Sequence, residues 1–316
     1  MLFIDRDEVL HLLSPKDCIQ VMRQTLMDLE NGCSEQYLRT VVHLPQENIL
    51  GLMPAWLSSD VMGAKIITVF HKNSRVGLPS HQGLVLLFDS RTGSPLCIAD
   101  GNAITQVRTG AVSAVATDLL ARQDASHAAF LGAGAQARSH LAALMVVREL
   151  KAVSVYDQNP GFALAFAGWA EESFDLSVHV ASTVSEAAKE ADIICTLTPS
   201  PTPILFRKDV QEGTHINAVG ACTAKQRELD SELVLISRFF GDRLESVIQE
   251  AGDFLIPLSE GVITREHFLG ELGQLLCAKK QGRISSSDIT VFESLGLAVE
   301  DLAAAYFVYS QKCIKT

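Results

Sequence analysis

Apolar positions recur at helical spacing early in the chain: Ile19, Met22, Leu26 and Leu29 follow Ser14-Pro15 and stop at Asn31-Gly32. Serine can cap the open amides of a first turn, proline suits a position whose N–H has no partner, and glycine ends the run. The pattern predicts one amphipathic helix. Beyond it the period shortens. Segments Leu38 to Leu44, Ile49 to Trp56, Val61 to Phe70 and Gly83 to Phe88 are rich in β-branched and apolar residues. They are punctuated by Pro45, Pro54, Asn73-Ser74, Gly77 and Pro79, and are expected to be strands. Ser90-Arg91-Thr92-Gly93-Ser94-Pro95 between apolar flanks reads as a hairpin connection, and Asn102 is expected to cap a long Ala/Val-rich helix from Ala103 to Leu120.

From His127 onward short apolar strands alternate with helices, the pattern of a parallel α/β sheet and a second domain. Strand His127 to Leu131 leads through a glycine-rich turn into a helix, Ala152 to Tyr156 is the next strand, and Phe162 to Glu172 the next helix. Ser177 to Val180, Asp192 to Thr196 and His215 to Val219 continue the sheet, and Ser231 to Phe240 is expected to add a strand. Val299 to Tyr309 is again helical and amphipathic, and is expected to return to the first domain.

Composition narrows the class. With 316 residues, 47% apolar and 20% charged, the chain can bury two ordinary cores, which sets aside disorder and fibrous structure. Lys and Arg total 26 against 37 Asp and Glu, a net charge of −11, so no positive field invites nucleic acid. The opening MLFIDRDEVLHLL mixes acids with apolar residues and does not resemble a secretory signal, and no apolar run approaches the ~18 residues of a membrane span. The seven cysteines are scattered and form no C-x-x-C pair, so neither a disulfide framework nor a metal site is expected. The expectation is a soluble, cytoplasmic protein with reduced cysteines.

The strongest local signal is the apolar strand His127 to Leu131 running into Gly132-Ala-Gly134-Ala-Gln-Ala137 and then a helix. Gly132 permits the tight turn, Gly134 lets backbone amides approach a pyrophosphate, and Ala137 keeps helix and sheet close. Asp157 ends the next strand 20 positions beyond Ala137, where a ribose-binding carboxylate belongs. A bare glycine turn would bind nothing, but strand, turn, helix, strand and acid in this order favour a dinucleotide. Asp157 would accept ribose hydroxyls and repel a 2′-phosphate, which favours NADH while leaving NADPH possible. Its other reading is a solvated turn aspartate before Asn159-Pro160-Gly161.

In the first domain, Lys65 interrupts an apolar strand, Arg108 sits in the Ala/Val-rich helix, and Arg39 lies in a β-like segment. A charge in such surroundings needs a partner or a ligand. Three converging cations would suit a small carboxylate, with arginine supplying bidentate geometry. Each taken singly reads equally well as a cation snorkelling from an edge or paired with a nearby acid.

The sequence is similar, over nearly its whole length, to the ornithine cyclodeaminase/mu-crystallin family, and closest in appearance to its mu-crystallin-type ketimine reductases. The likeness is carried by Arg39-Thr-Val-Val, Leu52-Met-Pro54, Gly63-Ala-Lys65, Leu78-Pro-Ser-His-Gln82 with Val85-Leu-Leu-Phe88, and Asp100 to Ala114. Further along it is carried by Leu131 to Gln136, Pro203-Ile-Leu-Phe206, His215 to Gly220, Arg227-Glu-Leu-Asp230 and Ser294 to Asp301. The resemblance implies an α/β protein in which a Rossmann-type dinucleotide-binding domain, 118–296, is inserted into an α+β substrate-binding and dimerisation domain, 1–117 plus 297–316. It also implies an active site in the cleft between them and a homodimer. Arg39, Lys65 and Arg108 are then expected to hold a substrate carboxylate. Lys65, a lysine in an apolar cleft beside arginine, is also the catalytic candidate to stabilise or deliver the proton on an imine nitrogen, the alternative being an imine that arrives already protonated from water. Ser80, His81 and Thr109 would border the nicotinamide, and Gly132, Gly134, Ala135, Gln136 and Asp157 the pyrophosphate and ribose. Thr196, Val219 and Ser294 would line the rest of the groove. His81 is expected to bond cofactor phosphate or amide, with a proton shuttle as its other role, and His127, His140 and His179 are assigned none.

One departure bears on substrate. Where cyclodeaminases carry an aspartate for the distal amine, in a G-x-D-x-P-G-K type loop, this chain reads Gly220-Ala-Cys222. A thiol with an ordinary pKa of about 8.5 is no fixed anion at neutral pH, so ornithine cyclodeamination is not expected. What remains is reduction of C=N beside a carboxylate: a small imino or 2-oxo acid, Δ1-pyrroline-2-carboxylate to L-proline or Δ1-piperideine-2-carboxylate to L-pipecolate. An alanine dehydrogenase-like reaction needs the same clamp, and a non-catalytic crystallin-like ligand binder is the reading from a different class.

Overall fold

The computed structural model describes residues 1–57, 61–70, 72–73 and 77–315. Ser74 of the expected Asn73-Ser74 turn lies outside them; Asn73 itself accepts the Leu78 amide at 3.1 Å and donates its side-chain amide to the Pro79 carbonyl at 3.0 Å. Contacts divide the chain into two compact units, Met1–Arg108 with Gly296–Thr316, and Thr109–Leu295.

The first unit runs β1 Leu2–Ile4, α1 Arg6–Leu12, α2 Pro15–Glu30, β2 Glu35–Gln36, β3 Thr40–His43, β4 Ile49–Leu57, β5 Val61–Val69, β6 His81–Asp89 and β7 Pro95–Asp100. It then takes the first residues of α3 Gly101–Leu120, and the C-terminal helix Ala298–Lys315. The Ser14 hydroxyl accepts the Asp17 amide at 3.1 Å and starts α2 as its sequence predicts. Seven strands form one sheet in the order β1-β7-β6-β5-β4-β2, with β3 also on β4, and only β1 with β7 is parallel. Along β4 the period-two pattern is plain: Gly51, Met53, Ala55 and Leu57 are buried while Leu52 and Trp56 are exposed. Across that buried face the register aligns Met53, Lys65, Val85 and Ala99, covered by the C-terminal helix, which packs in turn on α2.

Two local expectations are corrected. Pro54 does not break a strand but lies inside β4. Its carbonyl accepts the Tyr37 amide at 3.3 Å, so its missing N–H faces the gap between the short partners β2 and β3, where a ladder bond is dispensable. The side chain that caps α3 is Asp100, which accepts the Ala103 amide at 2.7 Å, rather than Asn102.

The second unit holds β8 His127–Leu131, α4 Ala135–Val147, β9 Ala152–Tyr156, α5 Pro160–Phe174, β10 Val178–Val180, β11 Ile193–Thr196, β12 His215–Ala218, β13 Arg238–Gly241, β14 Phe268–Glu271 and β15 Thr290–Glu293. These eight strands form a wholly parallel sheet in the order β10-β9-β8-β11-β12-β15-β13-β14. Such strands are buried on both faces and read as short continuous apolar runs. The order turns back between β8 and β11, and at such a switch point parallel sheets open a crevice at their strands' carboxyl ends. The expected strand Ser231 to Phe240 is instead helix Ser231–Ile236 followed by β13. Asp230 accepts the Leu233 amide at 3.1 Å, and this cap starts a helix in a run whose composition alone suits a strand. Among the described residues no helix is long and apolar enough to cross a membrane.

Candidate active site

In the first unit the sheet, α3 and the C-terminal helix bring charges into the apolar layer. Lys65 is 2% exposed and its Nζ donates to Asp301 Oδ1 at 3.2 Å. Arg108, 5% exposed, donates Nε to the same oxygen at 2.9 Å and Nη1 to Glu300 Oε2 at 2.9 Å. Arg39 donates Nη2 to the Gly296 carbonyl at 3.3 Å. Gly296 has φ +80, and a Cβ there would lie 2.7 Å from the Arg108 guanidinium, so both backbone and packing call for glycine. The three cations of the sequence reading thus share one cluster, in which Lys65 and Arg108 meet Asp301 and Glu300. Burial lowers the Lys65 pKa to about 8, with Asp301 opposing and the Arg108 and Arg39 charges adding to the shift.

Glu300 and Asp301 escaped the sequence reading as partners. Adjacent acids in the first turn of a helix pass for ordinary complements of its dipole. The signal that could have found them is their setting in an otherwise apolar first turn, Ala298-Val-Glu-Asp-Leu-Ala. Ser80 and His81 also lie in this unit, Ser80 Oγ and His81 Nδ1 being 3.0 Å apart at the start of β6.

The second unit carries the glycine turn. Gly132 has φ +104, and a Cβ there would sit 2.9 Å from the carbonyl of Leu197, the residue that follows β11. Gly134 starts α4 without any side-chain cap on the helix amides, and a Cβ on it would meet no atom within 4 Å. Open amides at a helix N-terminus, next to a glycine with space before it, fit a pyrophosphate. Ala135 and Gln136 form the first turn of that helix. Asp157 accepts the Ala133 amide on Oδ2 at 2.9 Å and the Asn159 amide on Oδ1 at 2.8 Å. Both sequence readings of Asp157 are therefore compatible: it closes the turn, and each oxygen keeps a second acceptor site for a ribose hydroxyl.

Thr196 ends β11, Val219 follows β12, and Ser294 follows β15, all buried at the carboxyl ends of neighbouring strands. Thr109 is buried in α3 directly after Arg108. The loops after β11 and β12 are tied by Glu228, which is buried and accepts the Thr198 amide and hydroxyl at 2.7 and 2.6 Å on one oxygen and the Gly220 amide at 2.8 Å on the other. The half-buried Cys222 donates its thiol to the Val219 carbonyl at 3.3 Å. His140 bonds Ser113, and burial lowers it to about 4, which suits a neutral core histidine.

The doubly wound parallel sheet with its glycine turn defines a Rossmann-type, dinucleotide-binding α/β protein. Residues 2–315 match the ornithine cyclodeaminase/mu-crystallin family, and the chain belongs to that family. It is 38% identical over 313 residues to the ketimine reductase mu-crystallin of Mus musculus, covering 97% of this chain and 96% of that one. The structure of Thermococcus litoralis Δ1-pyrroline-2-carboxylate reductase with NADH and L-proline superposes with a TM-score of 0.97 at 36% identity, covering 100% of this chain and 98% of that one. An archaeal alanine dehydrogenase dimer with bound NAD reaches 0.95 at 31% identity, covering 100% and 97%.

Proposed function

We propose that this chain is an NAD(P)H-dependent reductase of small cyclic ketimines, taking Δ1-pyrroline-2-carboxylate to L-proline and Δ1-piperideine-2-carboxylate to L-pipecolate. The observation that carries the reading is the convergence of Arg39 with the buried Lys65 and Arg108 in one cluster, a set of cations that suits a carboxylate. It is supported by the likeness to a reductase whose structure contains NADH and L-proline.

In this mechanism the guanidinium of Arg39, with Lys65 and Arg108, holds the carboxylate and thereby fixes the adjacent imine carbon. The cofactor's one contribution is a hydride to that carbon, closing a C–H bond while the π pair of C=N moves to nitrogen. Lys65 Nζ gives the nitrogen its proton and regains one from water, so imine, NADH and one proton become amine and NAD⁺. A pKa of about 8 suits this work, since the ammonium is populated at neutral pH yet gives up its proton readily. Arginine, always charged, cannot do the same. Asp157 favours NADH, because a 2′-phosphate would meet a carboxylate already fixed by two amides.

The assembly we propose is a homodimer formed through the outer face of the first unit's sheet. There Leu52, Ile66 and Leu84 align across three strands, as do Trp56, Met62 and Phe88. An apolar sheet face this continuous marks an interface, and the archaeal neighbour is a dimer.

The test is a panel of Δ1-pyrroline-2-carboxylate, Δ1-piperideine-2-carboxylate, pyruvate with ammonium, and ornithine, followed by absorbance of NADH and NADPH. Cyclic imines should turn over fastest, with NADH preferred, and Lys65→Met should lower kcat roughly 10²–10⁴-fold while NADH binding persists. Faster turnover of pyruvate with ammonium would make the protein an alanine dehydrogenase. Tight binding without turnover of anything in the panel would make it a ligand binder.

A further inference from the structure

We propose that Asp301 is a positioning residue of this reaction: through a single carboxylate oxygen it holds Lys65 and Arg108 side by side and keeps a proton on Lys65 for the imine nitrogen. The inference rests on the ketimine-reductase reading and deepens it.

Lys65 Nζ and Arg108 Nε reach the same Oδ1, at 3.2 and 2.9 Å, so two cations from different elements are drawn together at one atom. Asp301 is fully buried, and its Oδ2 has no hydrogen-bond partner among the described residues. A carboxylate that merely neutralised one arginine would use both oxygens on the guanidinium fork. Here Glu300 takes the Nη1 side of the fork, leaving Asp301 astride the lysine and the arginine. The groups that face Lys65 are Asp301 from the C-terminal helix, Arg108 from α3 and Arg39 ahead of β3. Glu300 and the buried Cys18 thiol of α2, which burial keeps neutral, lie behind Arg108.

Two like charges so close in an apolar layer cannot both persist without a counter-charge, and arginine does not release its proton. Lysine is therefore the group that would discharge. Asp301 is the only anion in direct contact with Lys65 among the described residues, so it decides whether the ammonium survives at neutral pH. Burial already lowers Lys65 to about 8, and Asp301 is what opposes a further fall.

In kcat/KM against pH with Δ1-pyrroline-2-carboxylate, a limb that needs protonated Lys65 falls as pH rises through its pKa. Asp301→Asn keeps the shape and removes the charge, and should move that limb to lower pH by roughly 1–3 units, the effect of losing an opposite charge at contact. Substrate titration is common to both proteins and cancels in the comparison. Asp301→Glu, which restores the charge, should bring the limb back toward wild type; a side chain with only a packing role would give no such rescue. The same shift should appear without turnover, in the ¹³Cε resonance of Lys65 in lysine-labelled protein, assigned by its loss in Lys65→Met. An unchanged Lys65 midpoint in Asp301→Asn overturns the proposal. Should that variant not fold, the wild-type protein decides: the Lys65 ¹³Cε midpoint should lie near pH 8, and a Lys65 already neutral at pH 7 overturns the proposal. Failure of the functional reading looks different, since it shows as a wild-type protein inactive on every imine whatever the lysine midpoint.

Discussion

Asp157 illustrates how one side chain can serve the fold and a ligand at once. Its two oxygens already receive the Ala133 and Asn159 amides, at 2.9 and 2.8 Å, so the carboxylate is fixed before any ribose arrives. Asp157→Ser leaves one acceptor for those amides and costs about 1 kcal/mol in turn stability, a loss both cofactors share. Only NADPH is relieved of repulsion, and juxtaposed like charges cost several kcal/mol. The ratio of kcat/KM for NADPH over NADH should therefore rise by at least about tenfold, and an unchanged ratio would assign cofactor choice to another residue. Residue-scale chemistry was legible in the sequence where it broke a local pattern. Lys65 and Arg108 stood out as charges in apolar runs, and Gly132 and Gly134 as glycines at a strand-to-helix turn. Glu300, Asp301 and Glu228 did not, because they pair with groups as far as 192, 236 and 30 positions away, which only the tertiary fold brings close.

At the scale of elements, the short helix Gly252–Ser259 is pressed onto the segment that carries Glu228: a Cβ on Gly252 would lie 1.8 Å from the Gln226 carbonyl. Asp253, in its first turn, accepts the Glu228 and Leu229 amides at 2.9 and 2.7 Å on Oδ1, while the buried Oδ2 has no partner among the described residues. Burial raises Asp253 to about 8, with the Glu228 charge adding to the shift. An unfolded aspartate titrates near 4. Between those values the folded chain binds the extra proton, so this group's stabilisation is complete below about pH 4 and is lost as pH rises through about 8. Asp253→Asn keeps the acceptor for both amides and cannot ionise. Urea midpoints at pH 5 and pH 8 should show the variant gaining on wild type as pH rises, by at most about 1.4 kcal/mol per pH unit. A constant difference would show that Asp253 is ionised in the folded chain. Elements were legible where start and stop signals are local, as for α2 and β9. Helix Ser231–Ile236 was not, because Leu-Val-Leu-Ile suits a buried strand equally well and its cap decides the matter. Four-residue β15 was missed too, although it lies between β12 and β13 within the sheet, because its register is set by those neighbours rather than by its own pattern.

For the whole molecule, the proposed dimer turns on a face that the period-two pattern leaves apolar on both sides. Inward residues of β4, β5 and β6 meet the C-terminal helix, and an ordinary solvated face would alternate them with polar residues. Instead Leu52 is 41% and Leu84 42% exposed, with Ile66 between them in register. Burying such a row against a second copy contributes about 25 cal/mol per Å² of apolar area, and a stable interface buries roughly 1,200–2,000 Å² in all. Charge placed there acts on assembly before it acts on folding, because these side chains already reach water in the single chain. Leu52→Glu with Leu84→Glu would set four carboxylates into one desolvated, isologous contact, where residue and symmetry mate lie close. Sedimentation velocity should give a dimer for wild type and a monomer for the double variant, with unchanged far-UV circular dichroism in both. A dimer that survives the two glutamates would place the interface on another surface.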